Sequence, residues 1–180
     1  MRGTRNAKPR MKANVTLIGM PGAGKSTTGI ILAKCLSYNF VDTDVVIQTS
    51  RQKSLQQIMD ERGYLQLRKI EEEEILALDV ESHVIATGGS AVYSERAMNH
   101  LRGMSTIIFL EVDFETIRNR IRNFETRGIA KAKTQTFRDL FDERQVLYKK
   151  YANIVVDCNK KTQEEAAETI ARELRGGCAA

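Results

Sequence analysis

The chain has 180 residues, a net charge of +5, 42% hydrophobic and 28% charged side chains, and no Trp. That length suits one domain around one core, and the composition excludes a chain disordered throughout. With 6% aromatic residues and no RNP-like or zinc-finger spacing, a stacking platform for nucleic acid is excluded too, and the mild positive charge is what a phosphate-handling cleft needs.

The basic segment Met1 to Lys12 is acid-poor and lacks the long apolar run of a signal peptide, so it reads as a flexible tail, with a short targeting segment as the alternative, ahead of a single domain over residues 13–175, with residues 176–180 as a flexible end. No apolar stretch reaches membrane-spanning length. Short apolar runs then alternate with helical patterns, which predicts a parallel sheet covered by helices. The strands fall at Val15 to Ile18, Asn39 to Val41, His83 to Ala86, Thr106 to Leu110 and Ile154 to Val156. Helices are predicted from Lys25 to Leu36, from a Ser54 cap through Met59, and from Tyr64 to Leu78, with Gly63 ending the shorter one. Asp113, Thr136 and Thr162 are caps for three more, running to about Arg122, Tyr151 and Leu174. Residues 123–135 are polar, contain Gly128 and carry Arg127, Lys131 and Lys133, which suits a lid over a transferring phosphate or, equally, a solvated basic loop. No second hydrophobic core is evident.

Residues Gly19 to Ser26 read Gly-Met-Pro-Gly-Ala-Gly-Lys-Ser and follow the first strand, a complete G-x-x-x-x-G-K-[ST] phosphate loop. A polyphosphate is wrapped by backbone N–H groups, which Gly22, Ala23 and Gly24 let approach closely, and the helix opening at Lys25, Ser26 and Thr27 aims its positive end at the same charge. Lys25 reaches the β- and γ-phosphates, and the Ser26 hydroxyl is placed for a Mg²⁺ that bridges them. Asp42 and Asp44 flank Thr43 at the end of the second strand, where open sheets carry their ligands. On an extended segment the two carboxylates point the same way, one toward the metal shell and one toward the hydroxyl being phosphorylated; the alternative is a D-x-D helix cap.

Other candidates are weaker by themselves. Arg68, with Glu71 three residues on, and Arg144 read either as solvated helix pairs or as forks for a substrate carboxylate. Gly88 and Gly89 follow the third strand, where a tight turn offers backbone N–H groups to a substrate. Glu111 reads as structural. His83 and His100 are isolated, and Cys35, Cys158 and Cys178 have no metal-ligand spacing and an odd count, which fits reduced thiols.

In this order and spacing, Gly19 to Ser26, Asp42-Thr43-Asp44, Arg68 with Glu71, Gly88-Gly89, Arg127, and Glu143-Arg144 with Leu147-Tyr148 resemble the shikimate kinase family of P-loop kinases, from about Val15 to Leu174. The resemblance implies a three-layer α/β fold with a parallel sheet in order 2-3-1-4-5, and transfer of the ATP γ-phosphate to the 3-hydroxyl of shikimate in aromatic amino-acid biosynthesis. It implies a cytoplasmic monomer with Mg²⁺ as cofactor and small molecules as its partners, rather than nucleic acid or membrane. Lys25 and Ser26 would serve phosphates and metal, Asp42 the metal through water, and Asp44 the substrate hydroxyls as orienter and base. Arg68 and Arg144 would fork the carboxylate, Gly88 and Gly89 line the pocket, Arg127 close onto the phosphates, and Arg120 and Lys161 border the adenine. The chain departs from the family pattern at Met59, Tyr64, Leu67, Ser90 and Gly128-Ile129, all on the acceptor side. The alternatives are a related P-loop kinase for another hydroxylated acid or a nucleotide, and a nucleotide-binding regulatory module without turnover.

Overall fold

Strand β1 (Asn14–Ile18) is buried along its whole length and lies at the middle of the sheet, so its two polar side chains, Asn14 and Thr16, are buried with Val15, Leu17 and Ile18 and are hydrogen-bonded there. It pairs in parallel with β3 (His83–Ala86) on one side and β4 (Ser105–Glu111) on the other; β2 (Asn39–Asp42) and β5 (Ile154–Asp157) complete the order β2-β3-β1-β4-β5. The computed structural model describes residues 14–121, 129–131 and 134–176. Parallel neighbours need crossovers, and here they are helical: α1 (Lys25–Leu36), α2 (Thr43–Arg51), α3 (Leu55–Leu76), α4 (Glu95–Met104), α5 (Phe114–Arg120), α6 (Phe137–Tyr151) and α7 (Gln163–Gly176). Among the described residues no helix is long and apolar enough to cross a membrane.

The capping residues act as their side chains dictate. Ser54, Asp113 and Thr136 accept from the N–H three residues on, and Thr162 Oγ1 accepts from Glu165. Gly63 takes φ 79° and ψ 165°, so α3 is two helical pieces joined at a kink, close to the break expected there.

Two helices were not expected. Thr43–Arg51 carries the β-branched run Val45, Val46 and Ile47, which weakens helical propensity, yet Asp42 accepts from the Asp44 N–H and starts a helix on the spot. This corrects the extended Asp-x-Asp reading: Asp42 ends the strand and caps α2, and Asp44 sits in the first turn. Glu95–Met104 begins on a Ser94 cap and buries Ala97, Met98 and Leu101. A second hydrophobic cluster also exists, formed by Ile47, Ile58, Leu67, Ile70 and Ala130, because α2 and α3 fold on each other away from the main core. Of the expected lid, Ile129 and Ala130 are buried rather than solvated. The tail 1–12, residues 177–180, and Arg122, Arg127, Gly128 and Lys133 lie outside the described residues.

Asn14, 1% exposed, fastens the sheet at the end opposite the phosphate loop. Its Nδ2 donates to Val80 O at 2.7 Å and Met104 O at 3.2 Å, and its Oδ1 accepts from His83 N at 2.9 Å. One amide thus satisfies backbone groups from the entries to β3 and β4. Asn14→Ala should cost about 3 kcal/mol, since each stranded buried polar group costs roughly 1–3 kcal/mol. Urea unfolding with an unchanged m-value checks this, and a loss under about 0.5 kcal/mol would contradict it.

Candidate active site

The phosphate loop is held open by backbone conformation. Gly22 and Gly24 have φ 82° and 93°, where L side chains are strained, and Gly24 caps α1 with its backbone alone. Lys25 is buried, and its Nζ donates to Gly19 O at 2.8 Å and Met20 O at 3.0 Å. Burial pushes its pKa down to about 8, opposed chiefly by Asp44 and then Asp42. Ser26 and Thr27 face solvent at the head of α1, and Ser26 Oγ donates to Asp42 Oδ2 at 2.5 Å. A hydroxyl beside a carboxylate is a hard-oxygen pair of the kind Mg²⁺ prefers when phosphates supply its other ligands. Among the described residues no cluster of three or more His, Cys, Asp or Glu could hold a metal unaided.

A cavity of about 410 Å³ runs from this loop to α3 and the middle of α6. Its donor end is lined by Gly22, Gly24, Lys25, Ser26, Thr27 and Arg120; its other end by Asp44, Glu71, Gly88, Gly89 and Arg144. Ile47, Leu55, Leu67 and Ile129 give it an apolar side. Of the described residues singled out in the sequence, Ala23, Asp42, Arg68 and Lys161 do not line it: Asp42 meets Ser26, Arg68 reaches the Ala130 carbonyl, and Lys161 Nζ donates to Asp157 O at 2.8 Å, although Gln163, two residues on, packs beside Gly24. Glu111 pairs with Lys149 at 2.8 Å outside the cavity.

The largest revision concerns Glu71. A solvated pair with Arg68 was one reading of the helix spacing, but Glu71 is 2% exposed and accepts from Ser90 Oγ. Its Oε1 is buried with no hydrogen-bond partner, and a β-carbon on Gly88 would collide with this oxygen and with Asp44 Oδ1. The two carboxylates therefore converge over Gly88. Burial first, and then the charge of Asp44, push the Glu71 pKa up to about 7. The signal was present in the sequence: Leu67, Glu71 and Ile75 recur every four residues, so Glu71 stands in the apolar stripe of α3.

Gly88 and Gly89 line the cavity, but the Gly88 N–H is already used, donating to Thr43 Oγ1 at 3.0 Å. The Gly89 carbonyl accepts from Tyr148 at 2.7 Å. Arg144 is 1% exposed, which removes the solvated-pair reading for it. Arg68, on α3, and Arg144, on α6, converge on one atom, the Ala130 carbonyl, at 3.4 and 2.8 Å. Two guanidinium groups aimed at a single oxygen form a preorganised site for a carboxylate. Ala130 is the part of this arrangement that the motifs did not mark, while Thr43, Glu71 and Ser90 stood within or beside the motifs without being given a role in it.

A family model described as shikimate kinase matches residues 21–175. A curated shikimate kinase from Sulfurihydrogenibium sp. is 31% identical over 90% of this chain and 98% of its own, and one from Paracidovorax citrulli is 36% identical over 89% and 91%. Among solved structures, a shikimate kinase from Acinetobacter baumannii in complex with shikimate superposes with a TM-score of 0.87 at 25% identity, covering 94% of this chain and 96% of that one.

Because the Glu71 carboxyl is held neutral by the fold, its contribution to stability is complete below about pH 4.5 and is lost as pH rises through about 7. Wild-type Tm should fall across that window by more than the Tm of Glu71→Gln. Parallel Tm profiles for the two proteins would contradict this.

Proposed function

Since the chain belongs to the shikimate kinase family, we propose that it transfers the γ-phosphate of ATP to the 3-hydroxyl of shikimate, giving shikimate 3-phosphate for aromatic amino-acid biosynthesis. The observation that carries the reading is a cavity that joins a phosphate loop to the carboxylates of Asp44 and Glu71 and to Arg144, with Arg68 converging on the Ala130 carbonyl that lines it. The same reading takes a monomer as the working unit and assigns the enzyme to the cytoplasm.

At the donor end the N–H groups of Gly22, Gly24, Lys25, Ser26 and Thr27 would wrap the polyphosphate, that of Ala23 being engaged with Met20 O at 3.1 Å, and Lys25 exchanges its two carbonyl bonds for phosphate oxygens. Ser26 would hold Mg²⁺ directly and Asp42 through water; bound there, the ion screens the charge between the β- and γ-phosphates. Arg120 borders the nucleotide from the end of α5, and Lys161 and Arg127 are proposed for its adenine and phosphate contacts.

At the acceptor end Arg68 and Arg144 take the carboxylate, which sets the ring across Gly88 and Gly89 with its hydroxyls at Asp44. The 3-hydroxyl oxygen forms the new O–P bond as the β–γ bridging P–O bond breaks. The electron pair leaves on ADP, and the hydroxyl proton passes to Asp44 late in a loose transition state. Glu71, its pKa raised to about 7 by burial and then by Asp44, holds a proton more readily than an exposed carboxyl and so eases the crowding of negative charge beside Asp44.

A coupled assay of ADP release should show turnover that depends on shikimate and saturates with it. Asp44→Asn should cut kcat by roughly 10²–10⁴-fold while ATP affinity moves by less than about 3-fold. ATP binding without shikimate-dependent turnover would point to another acceptor or to a regulatory module, and an unaffected rate in D44N would remove Asp44 from the chemistry.

A further inference from the structure

Arg68 and Arg144 arrive from different helices, and no acidic side chain pairs with either guanidinium among the described residues. Glu71, three residues after Arg68, is turned toward Ser90. The Nε atoms of both arginines are buried without hydrogen-bond partners. Long side chains with this much rotamer freedom need something else to hold their planes.

That something is aromatic. Tyr93 lies on the 3-10 turn Ala91–Tyr93, which follows the Gly88-Gly89-Ser90 segment and packs against α3, α4 and α6. The Arg68 Cζ stands 3.6 Å from the centre of the Tyr93 ring, a face-on stack, and the Arg144 Cζ is 5.4 Å from the same centre. Tyr64 approaches Arg68 at 5.2 Å. The Tyr93 phenol oxygen is buried beside Arg144 and Glu143 without completing a hydrogen bond of normal geometry, and what it presents to Arg68 is the ring. A guanidinium stacks on an aromatic face because its charge meets the negative face of the ring while its N–H edges stay free to reach outward.

We propose that Tyr93 is a positioning residue for the acceptor: its ring fixes the plane of Arg68 and its spacing from Arg144, and so sets the preference for a substrate that carries a carboxylate. The inference rests on the acceptor reading given above. Tyr93 acts on binding before chemistry, since it touches neither the phosphate loop nor Asp44. Its removal loosens the fork and leaves the transfer step as it was.

The test is steady-state kinetics of Tyr93→Leu and Tyr93→Phe, each alone and in an Arg68→Gln background, with wild-type turnover of shikimate measured first. Y93L should raise KM for shikimate by about 10-fold, the scale of a desolvated cation–π contact, with kcat and KM for ATP within about 2-fold. Y93F, which keeps the ring, should stay within about 2-fold of wild type, and Y93L should add less than about 2-fold once Arg68 is gone. If Y93L loses its cooperative melt, Tyr93→Met, which fills similar volume without a ring, takes its place. An unchanged KM in Y93L, a Y93F as impaired as Y93L, or full additivity with R68Q would each overturn the inference while leaving the function intact. A wild-type protein that ignores shikimate would overturn the functional reading and this inference with it.

Discussion

The carboxylate of Asp42 joins the two halves of the cleft, and the rest of the site is arranged around it. One oxygen accepts from the Asp44 N–H and so starts α2; the other accepts from Ser26 at the head of α1. A single side chain at the end of β2 thereby sets the helix that presents Asp44 and touches the helix that presents Lys25 and Ser26. Strand pairing fixes where that side chain stands, because Asp42 is in register with Ala86 on β3, two residues before Gly88. The donor and acceptor ends are consequently positioned by one sheet edge rather than by separate loops.

Burial gives the cavity its chemistry. Lys25, Glu71 and Arg144 are all buried there, and they are not equivalent. Burial pushes the ammonium down to about 8 and, with help from Asp44, the Glu71 carboxyl up to about 7, so both charges are easier to lose here than in water. Arg144 brings a buried guanidinium, with its planar fork of donors, to the same cavity. Ser90 belongs to this balance as well: its hydroxyl satisfies one Glu71 oxygen and leaves the other facing Gly88 and Asp44.

The donor half was legible because its chemistry is sequence-local. A phosphate loop is eight consecutive residues, and its glycines, lysine and serine occupy the places that their spacing requires. The five strands were legible because each is a short apolar run, and their order followed from the family resemblance. Helix α2 was not, since its β-branched run hid it and the capping role of Asp42 was overlaid by its chemical one. The acceptor half depends on contacts between α3, the Ser90 turn, α6 and residues 129–131, which no spacing along the chain encodes. Glu71 shows the difference: it reads as a partner for Arg68 at i+3, yet its position in the Leu67 to Ile75 stripe takes it inward to Ser90.

The acceptor side is also where the chain departs from the family pattern, at Met59, Tyr64, Leu67 and Ser90, and where the structure supplies its own solution. Leu67 and Met59 belong to the small cluster beneath the cavity, Tyr64 flanks Arg68, and Ser90 engages Glu71. The account as a whole states that a carboxylate-bearing ring is seated so that one particular hydroxyl meets the phosphate. Phosphorus–proton correlation NMR of the product formed from ATP and shikimate tests this most directly. The account predicts a single phosphomonoester correlated with the proton on carbon 3; a phosphate on another carbon, or no phosphomonoester at all, would contradict it.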